Sequence, residues 1–411
     1  MSDAVPARVP ESVAIIGGGL AGFTTAQSLR ASGYTGTVTI IDPEGTPYDR
    51  PPLSKDYLAG KADAEQLGLV PADWYAENAV EVVPHRVDSI DPDSGIVRCA
   101  DGSRTQAEAI VLALGGRPRM LPVPGGDLPG LHVLRTRADA DALRGELAAG
   151  RRVCIIGAGL IGAEVASTAV DVGCEVTLID PVKIPLTAAV GVELANRLHA
   201  MHEEHGVQVV EGMTSSITHG EEGYVVTTED PTAGEFPADV VLVAVGIVPN
   251  TELASTAGLD VDNGILVDPA QKTTHPRVWA VGDAARIRTA DGILLRRHEH
   301  WESAMRSGET AAASILGRDL PRHGAAWMWT DRYGHHVEAI GDMTAGEPVV
   351  RTDNGRPSAE FRLDADGTMV GAAAIDPGTT IRAARRIIDR GIVVDQVQLA
   401  DSSVPLKKLA R

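Results

Sequence analysis

At 411 residues the chain is long enough for two or three domains that each bury a core. It is 44% hydrophobic, 3% aromatic and carries a net charge of −19, which argues against a nucleic-acid partner, because phosphate binding needs a basic surface. Cys99, Cys154 and Cys174 are scattered, with no disulfide framework and no C-x-x-C, pointing to a reducing, cytoplasmic compartment. No apolar run approaches the length of a membrane span, and the first one is already a nucleotide-type strand, so neither a membrane segment nor a signal peptide is expected.

Residues 1–10 are polar and proline-containing and are expected to fray. Val13 to Ile16 reads as a buried strand. Gly17, Gly19 and Gly22 then fit G-x-G-x-x-G at the mouth of a helix from about Leu20 to Ser32, with Ala21 in its first turn. The N–H groups and dipole of such a helix start favour an anion. The next strand, Thr37–Ile41, ends at Asp42, placed to accept hydrogen bonds from a ribose. A turn-rich stretch from Pro43 follows, with Arg50, and a single lysine, Lys55, after Pro-Pro-Leu-Ser. Residues 79–114 alternate short apolar runs, including Val83, with turn residues and predict strands and hairpins. They close on a strand ending at Ala113, Leu114, Gly115 and Gly116.

A second unit begins near Leu121. Arg135 precedes Thr136, which with Asp139 forms a capping-box start to a helix through Leu147. Arg152 to Gly162 then repeats the opening motif, with Gly157, Gly159 and Gly162 as its glycines and Ile161 in the helix start. The following strand ends at Asp180. Two dinucleotide units in one chain imply two dinucleotides. Asp180 argues for NADH, since a carboxylate binds a ribose 2′-OH but repels a 2′-phosphate. Asp239 to Gly246 reads as a strand closing on glycine, and Val278 to Asp283 as a strand with a terminal Gly-Asp, which offers Asp283 to a ribityl chain and phosphate. A helix containing Trp301 and Gly308 follows. From about Ala325 the pattern changes to strands and turns, with one late helix between Thr379 and Arg390.

These motifs, with Arg50-Pro-Pro-Leu-Ser-Lys55, Ala244-Val-Gly246, Trp327-Met-Trp-Thr-Asp331 and Val404-Pro-Leu-Lys-Lys408, resemble the NADH:ferredoxin reductases of oxygenase systems. Those are glutathione-reductase-like flavoproteins. The resemblance implies an α/β fold of two Rossmann-like domains plus a small C-terminal α+β domain. Residues 1–120 and 246–324 would bind FAD, residues 121–245 NADH, and residues 325–411 would form the last domain. It implies FAD contacts from Gly17, Gly19, Gly22, Asp42, Arg50, Lys55, Ala113, Arg135, Asp283 and Trp301. The neighbouring Leu20, Ala21, Val83, Gly115 and Gly246 complete the cofactor set, with Gly157, Gly159, Ile161, Gly162 and Asp180 on the NADH side. Trp329 would border the isoalloxazine, and Glu164 would pair with Lys55. Two departures stand out: Leu114 replaces a threonine, and Pro181 to Thr187 replaces a more basic segment.

Lys55 and Glu164 are the expected catalytic pair. The lysine would stabilise negative charge on the flavin and the glutamate would hold the lysine. The stretch from Asp42 to Lys55 has no cysteine, which disfavours disulfide reduction and thiol peroxidase chemistry. No metal is expected. His199, His202 and His205 are read as a solvated helix face, and His298 and His300 as candidates for the flavin edge. The last 35 residues hold seven basic residues against three acidic ones. Lys407 and Lys408, with Arg306 and Arg332, are candidates for docking an acidic ferredoxin that feeds an oxygenase, such as a haem monooxygenase. Alternatives left open are a rubredoxin or quinone reductase and an NADH-binding redox sensor with little turnover.

Overall fold

The computed structural model describes residues 8–410. Most of the stretch expected to fray therefore lies outside the described residues, and Pro10 is tied down through its carbonyl, which accepts from the Tyr34 hydroxyl (2.8 Å). The chain folds into two compact units. One comprises the residues up to Arg50, Ala64–Arg117 and Ile247–His323. The other comprises Pro51–Asp63, Pro118–Gly246 and the residues from Gly324 on.

The first unit is built on a five-stranded parallel sheet in the order Val278–Ala280, Ala109–Leu112, Ser12–Ile16, Thr37–Ile41, Val80–Val83. These strands are almost wholly apolar because both faces are covered. Ile15, Leu29, Val38, Val111 and Ile315 fill one face, and Ile16, Ile41, Ile110, Leu112 and Ile265 the other. The helix Leu20–Ala31 packs against the helix Trp301–Ile315, which runs well past Gly308. Gly308 makes the crossing possible, since a Cβ there would lie 2.6 Å from the Ala21 carbonyl oxygen. The hairpins expected in residues 79–114 form a three-stranded antiparallel sheet, Val87–Asp91, Ile96–Cys99 and Arg104–Gln106.

The second unit has a four-stranded parallel sheet in the order Gln208–Glu211, Glu175–Asp180, Arg152–Ile156, Val240–Val243. The helix Arg137–Glu146 starts with the expected capping box, Thr136 and Asp139 each bonding the other's backbone N–H. From Trp327 a five-stranded antiparallel sheet follows, in the order Trp327–Arg332, His335–Gly341, Met369–Ile375, Arg356–Leu363, Glu347–Asp353. The helix Thr380–Asp389 buries Ile381, Ala384 and Ile387 against one face of this sheet. Leu194, Leu198 and Met201 of the helix Val192–Glu204 cover the other. The same unit holds residues 51–63. Thr168 donates its hydroxyl to the Ser54 carbonyl (2.8 Å) and Tyr57 donates to Asp141 (2.7 Å).

Candidate functional site

The two glycine motifs adopt the same local geometry. Gly17 has φ +110° and Gly157 φ +104°, a region that favours glycine. A Cβ on Gly17 would also lie 2.2 Å from the Ala113 carbonyl oxygen, and one on Gly157 2.5 Å from that of Ala244. Gly22 and Gly162 lie against Gly17 and Gly157, where a Cβ would approach the glycine carbonyl oxygen to 2.0 and 1.8 Å. At Gly19 and Gly159, by contrast, a Cβ would meet nothing within 4 Å. Open space therefore lies over both helix starts, and a pyrophosphate fits there beside unpaired N–H groups. Ile161, in the second helix start, is 36% exposed.

Each second-strand acid is fixed by the loop it serves. Asp42 accepts from the N–H of Gly18 (2.5 Å) and of Glu44 (2.7 Å). Asp180 accepts from the N–H of Ala158 (2.6 Å) and of Val182 (2.7 Å). A carboxylate has about four acceptor positions, so capacity remains for ribose hydroxyls.

In the first unit Ala113 packs over Gly17 and Gly22, and Gly282 comes so close to Ala21 that a Cβ would lie 2.9 Å from it, which brings Asp283 to the same helix start. Trp301 donates its indole N–H to Asp49 (2.9 Å), and Arg50 pairs with Glu44 (3.0 Å). Val83 ends the edge strand, and its carbonyl accepts from the Asp42 N–H (3.1 Å). Gly115 has φ +58°. The Nδ1 of His300 is a buried atom with no hydrogen-bond partner, and burial, with His298 beside it, lowers the pKa of this imidazole. Arg135 and Gly246 belong to the second unit. The Arg135 N–H donates to Asp139 (3.0 Å), and Gly246 accepts from the Arg119 N–H (2.9 Å).

The second unit brings Lys55, Glu164 and Trp329 together. The Lys55 Nζ lies 3.0 Å from the Glu164 Oε2 and 5.8 Å from the Trp329 ring centroid. Glu164, 5% exposed, also accepts from the Ser54 hydroxyl (2.6 Å) and the Thr330 hydroxyl (2.6 Å). Three chain segments therefore converge on one buried carboxylate, and removing one member of such a pair typically costs about 3–5 kcal/mol. Ser54 and Thr330 have no role assigned by the sequence; their only signal there is position, Ser54 preceding Lys55 and Thr330 following Trp329.

Two expectations are corrected. Arg332 is 3% exposed and cannot meet a docking partner. Its neighbour in the hairpin is Thr330, whose hydroxyl lies 3.4 Å from the guanidinium, and burial lowers its pKa. His202 is 1% exposed, not solvated. It packs into the unit's core beside Tyr333, whose hydroxyl is 2.7 Å from its Nδ1, and burial together with Arg332 brings its pKa down to about 3. Of the other docking candidates, Arg306 is largely buried and pairs with Glu302 (3.0 Å). Lys407 and Lys408 are exposed, as are Arg382, Arg386 and Arg390 along one helix face. Arg411, one of the seven C-terminal basic residues, lies outside the described residues.

No thiol chemistry is available near these groups. Cys99, Cys154 and Cys174 are all buried, and burial pushes the Cys154 thiol up to about 12. Among the described residues no group of three or more His, Cys, Asp or Glu is placed to hold a metal, and no helix is long and apolar enough to cross a membrane.

Residues 11–308 match the pyridine nucleotide-disulphide oxidoreductase family, and residues 327–410 match the reductase C-terminal family. The chain is 39% identical to the ferredoxin–NAD(+) reductase component of the anthranilate 1,2-dioxygenase system of Burkholderia cepacia, covering 96% of this chain and 98% of that one. It is 35% identical to putidaredoxin reductase of Pseudomonas putida, covering 97% and 96%. Among solved structures it superposes with a TM-score of 0.90 on the ferredoxin reductase for the CYP199A2 system of Rhodopseudomonas palustris, at 32% identity, covering 98% of this chain and all of that one. On putidaredoxin reductase in its covalent complex with putidaredoxin the TM-score is 0.86, at 34% identity with 97% of each chain covered. The paired glycine motifs, the C-terminal sheet and these likenesses agree: the chain belongs to the pyridine nucleotide-disulphide oxidoreductase family, in its glutathione-reductase-like form with a reductase C-terminal domain.

Proposed function

We propose that this protein is an FAD-dependent NADH:ferredoxin reductase that supplies electrons to an oxygenase. The observation that carries the reading is the duplicated glycine motif, combined with Lys55 paired to the buried Glu164 and no thiol pair to divert electrons. Bound FAD would supply a two-electron acceptor for hydride from NADH and a one-electron donor of the kind an iron–sulfur protein requires.

The chain's own residues position and bias that chemistry. The first motif, with Asp42, holds the FAD, and the second, with Asp180, holds NADH. Glu164 fixes Lys55, whose ammonium favours added negative charge on the flavin, and Trp329 bounds the reacting region. In this reading a discontinuous FAD domain covers residues 1–120 and 246–324, an NADH domain residues 121–245 and a C-terminal domain residues 325–411, and the compact units differ from it in grouping residues 51–63 with the NADH and C-terminal segments. Arg382, Arg386 and Arg390 along one helix face, together with Lys407 and Lys408, are exposed basic residues in an otherwise acidic protein, a charge suited to an acidic ferredoxin.

Steady-state turnover with NADH against a panel of ferredoxins and a rubredoxin tests the proposal. Rapid multiple-turnover reduction of a ferredoxin is expected. Faster reduction of rubredoxin or a quinone, or NADH binding with negligible turnover, would contradict it.

A further inference from the structure

The hairpin Trp327–Arg332 and His335–Gly341 turns through Tyr333 and Gly334, both at positive φ, as a two-residue turn of this hand requires. Side chains two apart share a face, so Trp327, Trp329 and Asp331 stand on one side. The register sets His336 opposite Asp331 and Glu338 opposite Trp329 on that same side.

The contacts on this face close into a ring. Lys55 Nζ is 3.8 Å from Asp331 Oδ2. Asp331 Oδ1 is 2.5 Å from His336 Nδ1, and His336 Nε2 is 3.5 Å from Glu338 Oε1. Glu338 Oε2 accepts the Trp327 indole N–H at 2.6 Å. Trp327 stacks on Trp329, with ring centroids 4.9 Å apart and planes at 21°, and Trp329 lies under Lys55. The backbone of His336 is anchored separately, its N–H donating to Asp376 (2.9 Å).

We propose that His336 is a positioning residue whose ring ties Asp331 to Glu338, keeping Asp331 off Lys55 and the Trp327–Trp329 stack in one orientation. This rests on the reading that Lys55 serves the hydride step. Lys55 has two carboxylates within reach but sits at hydrogen-bond distance from only one, Glu164. Asp331 is occupied at its other oxygen by the imidazole. Without the ring, Asp331 loses its nearest partner and can swing onto the ammonium, so Lys55 becomes shared between two carboxylates. Glu338 loses the same ring and holds the Trp327 N–H alone.

The test uses the FAD-loaded enzyme and two readouts. In anaerobic stopped-flow mixing with NADH, H336A is expected to slow flavin bleaching about tenfold, with the half-saturating NADH concentration changed less than about threefold. Adding D331N to H336A is expected to recover most of that loss, because the released carboxylate is neutralised; H336Q, which keeps one hydrogen bond, is expected to fall between. In far-ultraviolet circular dichroism, the exciton signal of the stacked indoles, identified by its loss in W327F, is expected to weaken in H336A. A wild-type bleaching rate with an unchanged exciton signal in H336A would overturn the proposal, as would strictly additive effects of H336A and D331N. If K55M bleaches at the wild-type rate, the reading of Lys55 fails instead, and the exciton signal still decides whether His336 orders the indole pair.

Discussion

The two glycine motifs are copies in backbone and opposites in use. Both keep two glycines where a side chain would collide and one where it would meet only space. Both pin a second-strand acid with the N–H of the residue between the first two glycines. They differ at the second residue after the last glycine. There the first copy has Thr24, buried, its Cβ 3.0 Å from where a side chain on Gly308 would begin. The second has Glu164, at the centre of a hydrogen-bonded pair with Lys55. One helix start serves close packing and the other carries charge. The glycine turn, whose geometry tolerates little change, is the same in both copies, and the adjoining helix turn is where they differ.

Breaking either cradle should have the largest effect. Gly22→Val is expected to abolish FAD retention and Gly162→Val to abolish NADH reduction of the flavin, since both place atoms about 2 Å from a carbonyl oxygen. Flavin content and anaerobic bleaching check the two. Next comes the position where the copies differ. Glu164→Gln is expected to slow hydride transfer roughly 100-fold by loosening Lys55. Thr24→Ser should leave that rate alone and cost about 1 kcal/mol of stability for the lost methyl. Comparable kinetic losses in both variants would erase the distinction.

Asp180→Asn should sharpen the NADH side. The ratio of kcat/KM for NADH over NADPH is expected to fall about tenfold, with preference for NADH over NADPH in the parent. His202 gives the second unit a pH dependence. Its pKa is about 3 in the fold against an ordinary value of 6.5, so the unfolded chain takes up a proton that the folded one refuses between those values. Stability should therefore decline as pH falls from about 6.5 toward 3, by at most about 1.4 kcal/mol per pH unit from this group. Urea midpoints measured between pH 7.5 and 5 should show a shallower decline in His202→Gln. The smallest effect lies outside both motifs. Lys407→Glu with Lys408→Glu is expected to raise the ferredoxin KM a few-fold at low salt and leave NADH-to-ferricyanide turnover unchanged.

The sequence was most legible where local rules dominate. The strand, glycine turn and helix at Gly17 and at Gly157, the acids Asp42 and Asp180, and the Thr136–Asp139 capping box all depend on residues near one another in the chain. The pairing of Lys55 with Glu164, far apart in the chain, was legible only through family resemblance. The structure adds Ser54 and Thr330, whose hydroxyls carry no distinctive pattern. Arg332 and His202 misled because charge suggests exposure, whereas strand alternation points Arg332 inward beside Thr330 and the helix Val192–Glu204 is covered on the His202 side by Tyr333. Burial of this kind depends on which elements meet, and no single segment encodes it.

One chain that holds two dinucleotides is expected to pass electrons from NADH through FAD to a ferredoxin. An anaerobic titration of the purified flavoprotein with NADH, followed by mixing with an oxidised ferredoxin, tests it most directly. Stoichiometric bleaching of the flavin absorbance by NADH and its rapid return as the ferredoxin is reduced are expected. Flavin that NADH does not bleach, or bleached flavin that no ferredoxin restores, would contradict the claim.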